Sequence, residues 1–276
     1  MSLDIGAALS SGVDDLASES GVLVGAVFLL YSLGSLVVNE SLAAALLDLV
    51  VQSGAYTAEQ RAAIESAGGG APFALGVGLP VTVVLVVLVA LVGELVRYWA
   101  IRSFAGPVET ATDAAGDRAV MAVVLGGIVA LVTLVFQSVL PVVGQLGGLA
   151  TTLVGSIAGP LGGFVLLTIF VYLRQEIALN NGGYGATVRN SVARFLDDPV
   201  SIILLLVVLG LFGLVGSLPG LVTGFVGADV SVAGIPLTVA SRLVSALLGT
   251  VVQVLGVAVV TDAYLQVRTS ASESAV

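Results

Sequence analysis

Residues 162–198 read GGFVLLTIFVYLRQEIALNNGGYGATVRNSVARFLDD, and the order of their parts decides the fold. An uncharged apolar run from Gly162 to Leu173 closes on Arg174, and a polar loop then leads to Arg189 and Arg194. A helix leaving a bilayer looks like this, and loops that stay in the cytoplasm carry the excess of Lys and Arg. The run therefore predicts a membrane-spanning helix with its Arg174 end inside. Tyr184 to Asp198 reads as an amphipathic helix, because Val188, Val192, Phe195 and Leu196 keep the i, i+4, i+7, i+8 spacing of one face. Its apolar stripe is expected in the acyl boundary, with the helix in the headgroup plane. That makes Arg174, Val188, Arg189, Val192, Arg194 and Phe195 candidates for binding lipid or a partner protein.

The whole chain agrees with a membrane setting. It has 276 residues, 58% hydrophobic and only 10% charged, with a mean hydropathy of +1.14. A soluble exterior needs roughly 25% charged residues. A span takes about 20 apolar residues, so the length allows about six spans and leaves no room for a large soluble domain. The fold class expected is all-α: a polytopic bundle of about six transmembrane helices arranged as three hairpins, with interfacial amphipathic helices. There is no Cys and no His, which removes thiolate metal sites, Cys nucleophiles and imidazole bases. All 9 basic residues are Arg against 18 acidic ones, a formal charge of −9. A Lys-free acidic exterior fits a halophilic, archaeal source, and GC-rich codon usage would favour Arg over Lys as well. Nucleic-acid binding is disfavoured, since phosphate contacts need basic clusters.

In chain order, residues 1–20 form an acidic segment expected on the cytoplasmic side, with Leu3, Leu9, Val13 and Leu16 on one face of a short helix lying on the membrane. Residues 21–268 hold the spans, expected at 21–38, 73–96, 119–140, 160–177, 200–217 and 237–263. Ser41 to Val51 reads as interfacial. Thr57 and Gln60 have capping-box spacing in the polar insert 52–72, with Gly68, Gly69 and Gly70 as a stop. Residues 141–159 and 224–236 are Gly-rich outer segments, either interfacial or re-entrant. Residues 269–276 form a Ser-rich tail expected to be disordered and solvated. The protein is thus expected to be a multi-pass cell-membrane protein with both termini cytoplasmic.

Each even-numbered span ends in aromatics and Arg: Arg97-Tyr98-Trp99 with Arg102, Tyr172-Leu173-Arg174, and Tyr264 with Arg268. This reads as three hairpins in one orientation, a parallel repeat, although any membrane hairpin with Arg inside would share the pattern. The segments Arg97 to Phe104, Tyr184 to Asp198 and Asp262 to Arg268 resemble haloarchaeal membrane proteins related to the membrane domain of glycerophosphoryl diester phosphodiesterases. The resemblance implies a helical membrane domain. The catalytic phosphodiesterase domain has no counterpart in this chain, so no activity follows from it.

Ionisable groups near bilayer depth are functional candidates. Glu94 and Arg97 lie three apart on one helix face, Asp262 falls near the inner end of the last span, and Arg242 sits among apolar residues of that span. With Gln137 and Gln253 they form a candidate intramembrane polar site. Against this stand snorkelling to water at span ends and amides that only bond across helices. No metal-ligand cluster, Walker loop or dinucleotide fingerprint occurs, so no cofactor is expected. With neither His nor Lys, a hydroxyl nucleophile lacks its usual base, which argues against an enzyme. The leading expectation is a non-enzymatic protein that organises lipid or partner proteins at the inner leaflet through residues 184–198. The alternative is a transporter or channel component with a path near Arg242, Gln137 and Gln253.

Overall fold

The computed structural model describes residues 3–52, 59, 71–109, 115–136, 149–226, 230–232 and 234–273. They form an all-α polytopic bundle: α1 (Ile5–Ala17), α2 (Glu19–Gln52), α3 (Leu79–Glu109), α4 (Ala115–Met121), a π-helical turn (Ala122–Gly126), α5 (Gly127–Leu134), α6 (Leu149–Ile169), α7 (Leu173–Leu179), α8 (Tyr184–Asp197), α9 (Pro199–Val226) and α10 (Leu237–Glu273). Among the described residues six segments are long and apolar enough to cross a bilayer: Glu19–Leu49, Leu79–Gly106, Ala115–Leu134, Gly159–Leu179, Pro199–Thr223 and Leu237–Thr269. Large apolar side chains such as Leu30, Val84, Leu211 and Leu214 stand exposed around these rods. Water would disfavour such a surface; lipid tails accept it.

α10 is the spine. It runs antiparallel to α2, as Ser32 Oγ and Thr250 Oγ1 are hydrogen-bonded (3.0 Å) and Arg242 lies beside Glu40. It forms a hairpin with α9 through β1 (Ser231–Val232) and β2 (Ile235–Pro236), an antiparallel pair. Gly234 takes φ +82° in that turn, a backbone region that favours glycine. The hairpin occupies part of the outer segment 224–236, and Asp229 lies outside the described residues. α9 approaches closely at Gly216, where an added Cβ would lie 3.6 Å from Gly249. Small residues at such crossings let helix backbones meet.

Most of the fully buried side chains gather at the end of the bundle that carries the arginines. Ile101, Tyr172, Ala178, Leu179, Ile202, Val260 and Tyr264 form one cluster there, and Tyr98 packs against it. Tyr172 meets Tyr264 edge to face, with ring centroids 5.6 Å apart, a favoured aromatic geometry. The aromatic residues that close the three hairpins in sequence therefore meet in space.

Several boundaries differ from the hydropathy reading. α2 runs on through 41–51, because Glu40 and Ser41 find partners: Glu40 Oε2 accepts from the Phe73 N–H (2.9 Å) and Ser41 Oγ from the Leu75 N–H (2.9 Å). Residues 149–159 are helical and continue into the fourth span, while 141–148 lie outside the described residues, as do Thr57, Gln60 and the glycines 68–70. The fourth span is broken at Phe170–Tyr172, where Tyr172 has φ −90° and ψ 1°. α10 extends to Glu273, past the start of the expected tail at 269. α1, capped by Asp4 through the Ala7 N–H, packs along α10 by two small residues, Ala8 and Gly12. Close packing needs small side chains, so this face of α1 is turned to protein, and Val13 is the one left exposed.

Candidate functional site

Glu94 on α3 is 1% exposed and binds two arginines. Arg174, at the start of α7, donates Nε to Oε2 and Nη2 to Oε1, both at 2.7 Å. Arg97, one turn along α3, donates Nη1 to Oε1 at 3.0 Å. The break at Phe170–Tyr172 delivers Arg174 here, by ending α6 and restarting the chain as α7 against α3. On the opposite side the π-helical turn presses Gly126 against the carboxylate, where an added Cβ would lie 2.3 Å from Glu94 Oε2. An ionised carboxylate out of water costs several kcal/mol, and three charge-assisted hydrogen bonds offset it.

Arg97 and Arg174 also line a cavity of about 280 Å³ bounded by Tyr31, Ser35, Asn39 and Thr133 among others. A second cavity of about 320 Å³ shares Tyr31, Ser35, Asn39 and Arg97, and adds Arg242 and Gln253. Arg242 and Gln253 are eleven positions apart on α10, about 16 Å at 1.5 Å per residue, or roughly half a hydrocarbon core. Together the two make a vestibule that reaches from Asn39 and Arg242 to Arg97 and Arg174, the arginines that hold Glu94, with Val86, Val89, Ala130 and Leu167 in the apolar part of its wall. Beyond Arg97 the packing turns apolar, with Ala100, Ile101 and Val254 fully buried.

No protein-family model, no curated protein and no solved structure matches this chain.

Of the candidate polar residues, the structure brings Glu94, Arg97, Arg242 and Gln253 around this vestibule. Asp262 is elsewhere: it accepts from Ser11 Oγ (3.2 Å) and Gln266 Nε2 (2.8 Å) beside α1. Gln137 lies outside the described residues. Arg242 is half exposed, with Nε 3.4 Å from Glu40 Oε1.

The candidate interface residues are also divided. Arg174 is engaged with Glu94. Arg194 pairs with the fully buried Glu176 and lies over the Tyr264 ring, 4.9 Å from its centroid. Asn180 Nδ2 bridges Glu176 Oε2 and the Tyr264 hydroxyl, each at 2.5 Å. Val188 packs on the cluster of Met121, Leu173 and Ile177, Phe195 on the aromatic cluster, and Val192 is partly buried. The stripe of α8 expected in the acyl boundary therefore covers α7, because Glu176 needs a cation and α7 needs an apolar lid. Arg189 remains exposed, with Tyr184 and Leu196.

Sequence reasoning missed Tyr31, Ser35, Asn39, Glu40 and Thr133 as cavity or pairing residues. Single hydroxyls in apolar helices carry no spacing signal. Arg174 had one, unused: it is the first charge after the uncharged run 119–173, so it enters a region with no local counter-ion.

Outside the spans, burial together with Asp262 and Asp14 raises the Asp15 carboxyl above its ordinary 3.8. The Asp198 carboxyl is lowered from 3.8 by hydrogen bonds from Ser201, side chain first, and from the Leu3 N–H.

Proposed function

We propose that the protein is a non-enzymatic membrane transporter or channel component, in which the vestibule admits a small polar solute and the Glu94, Arg97 and Arg174 cluster closes its deep end. The observation that carries this reading is a pair of adjoining cavities that share Tyr31, Ser35, Asn39 and Arg97, one adding Arg242 and Gln253 and the other Thr133 and Arg174, so that polar groups line part of the wall of an otherwise apolar bundle. Broken helices beside such a site are a recurrent transporter feature, and the fourth span is interrupted at Phe170–Tyr172. Arg97, Arg102, Arg118, Arg174, Arg189, Arg194 and Arg268 sit at or towards one end of the spans, which supports a cytoplasmic location for that end and for both termini. The vestibule then opens outward. The test is osmotic swelling of vesicles holding the purified protein, challenged in turn with salts, acetate, glycerol and amino acids. Swelling above protein-free vesicles that falls in Arg242→Ala supports the reading; swelling equal to protein-free vesicles for every solute rejects it.

Exposed Tyr184, Arg189, Leu196 and Val200 favour a second reading, lipid or partner binding at the inner leaflet through 184–198. Its check is the anionic lipid retained on purification, which Arg189→Glu with Leu196→Ser should reduce. The Lys-free acidic composition supports a halophilic, archaeal origin, and the aromatic-Arg endings support kinship with phosphodiesterase-linked membrane domains. Structure retained only in molar KCl would support the first.

A further inference from the structure

We propose that the cavity between α2, α3, α5 and α6 binds one small, singly charged anion of the chloride class. This rests on the vestibule reading and names the class of solute it takes. The argument begins with charge. Two guanidiniums, Arg97 and Arg174, border the cavity, and among the described residues a single carboxylate, Glu94, answers both. Neither α5 nor α6 contains a charged residue. On α2, the nearest carboxylate, Glu40, faces Arg242 and the Phe73 N–H instead. One positive charge is left without a carboxylate at membrane depth, where such a charge is costly; the Tyr31 ring, 5.9 Å from Arg97 Cζ, answers it only in part.

Donor capacity points the same way. Glu94 engages Nη1 of Arg97 and both Nε and Nη2 of Arg174. Arg97 Nε and Nη2 and Arg174 Nη1 make no hydrogen bond among the described residues, although both side chains are about three-quarters buried (25% and 23% exposed). Thr133, 9% exposed, lines the same cavity, and its hydroxyl has no partner among the described residues. Other helical threonines behave differently: Thr168, Thr250 and Thr261 each donate to the carbonyl four residues back. Unsatisfied buried hydroxyls are uncommon in native proteins; among the described residues Tyr172 and Ser191 carry such hydroxyls too, and Thr133 is the one of the three that lines the cavity bordered by the unused guanidinium donors. A cation would be repelled, and a doubly charged anion would overshoot the single excess charge. A halide or nitrate-sized ion fits both charge and donors.

The test is equilibrium dialysis of radiolabelled chloride against the purified full chain in detergent, at constant ionic strength set with sodium gluconate. The expected result is one saturable chloride per chain, displaced by nitrate. Thr133→Val, which keeps side-chain shape, should weaken binding about tenfold, the value of one hydrogen bond to a charged group, and Thr133→Ser should restore it. Arg97→Gln, with its helical circular dichroism intact, should abolish it. No saturable chloride, or equal affinity in wild type, Thr133→Val and Arg97→Gln, overturns the proposal. Displacement by phosphatidylglycerol but not by nitrate also overturns it, assigning the donors to a lipid phosphate. Saturable binding with no vesicle swelling leaves the ion site standing and removes only the transport reading.

Discussion

Replacing Glu94 with Gln keeps the side-chain shape and removes the one negative charge between Arg97 and Arg174. The carboxylate accepts three hydrogen bonds of 2.7, 2.7 and 3.0 Å from these two residues. A carboxamide has one oxygen for those donors, and its NH2 faces a guanidinium. Removing one partner of a buried ion pair costs about 3–5 kcal/mol. Each arginine keeps about a quarter of its side chain open to the cavity (25% and 23%), so water there relieves part of the loss and about 3 kcal/mol is expected. At about 2–4 °C per kcal/mol for a chain of this size, Tm in detergent should fall by about 6–12 °C. Glu94→Gln combined with Arg174→Gln restores the wild-type net charge at the cavity, and should recover more than half of that loss, as coupled contacts do. A single-variant drop under about 2 °C, or a double variant whose losses simply add, would refute the picture of a buried, mutually dependent cluster.

Gly12→Val should detach α1 from α10, since an added Cβ would lie 2.3 Å from Val259 Cγ2 and 3.1 Å from the Val259 amide nitrogen. Overpacking of this kind costs about 1–3 kcal/mol, and faster proteolysis at the N-terminus would register it. Asp15 and Asp198 should respond to pH in opposite senses. Asp15 is raised, so the folded state holds its proton more tightly; that stabilisation is complete below about pH 3.8 and is lost as pH rises through the folded value. Asp15→Asn should therefore raise Tm at pH 7 and leave it unchanged at pH 3. Asp198 is lowered, so its contribution is present above about pH 3.8 and is lost as pH falls through the folded value. Asp198→Asn should lower Tm at pH 7 and match wild type once the carboxyl is protonated in both states.

The helical class and the six helices long and apolar enough to cross a bilayer were legible in the sequence, because hydropathy reports the apolar residues that these helices leave exposed. Where segments meet protein instead, hydropathy misled. α1 and the stripe of α8 have the amphipathic spacing of membrane-surface helices, yet Gly12 touches Val259 and Phe195 touches the Tyr172 and Tyr264 cluster. Periodicity identifies an apolar face and is silent about what covers it. The repeated aromatic-Arg endings were informative in a different way: Tyr98, Tyr172 and Tyr264 converge. Of the site, Glu94 with Arg97 and Arg242 with Gln253 were readable from position on their own helices. Arg174 reaching Glu94 across 80 positions, and Glu40 meeting Arg242, were not, because pairing between distant helices is set by tertiary packing that spacing does not encode. Thr133 left no trace either, since its significance is a missing hydrogen bond.

The native chain has no cysteine, so a single introduced thiol can report water inside the bundle. Ser35→Cys places one in the vestibule wall and Val84→Cys places one on the exposed outer face of α3, where thiol reactivity requires water to form the thiolate. In sealed vesicles of known orientation, treated with a membrane-impermeant maleimide, Ser35→Cys should be labelled from the face near Asn39 and Arg242, and Val84→Cys from neither face. A Ser35→Cys thiol silent from both faces, or labelled only from the arginine-bearing face, would contradict the vestibule.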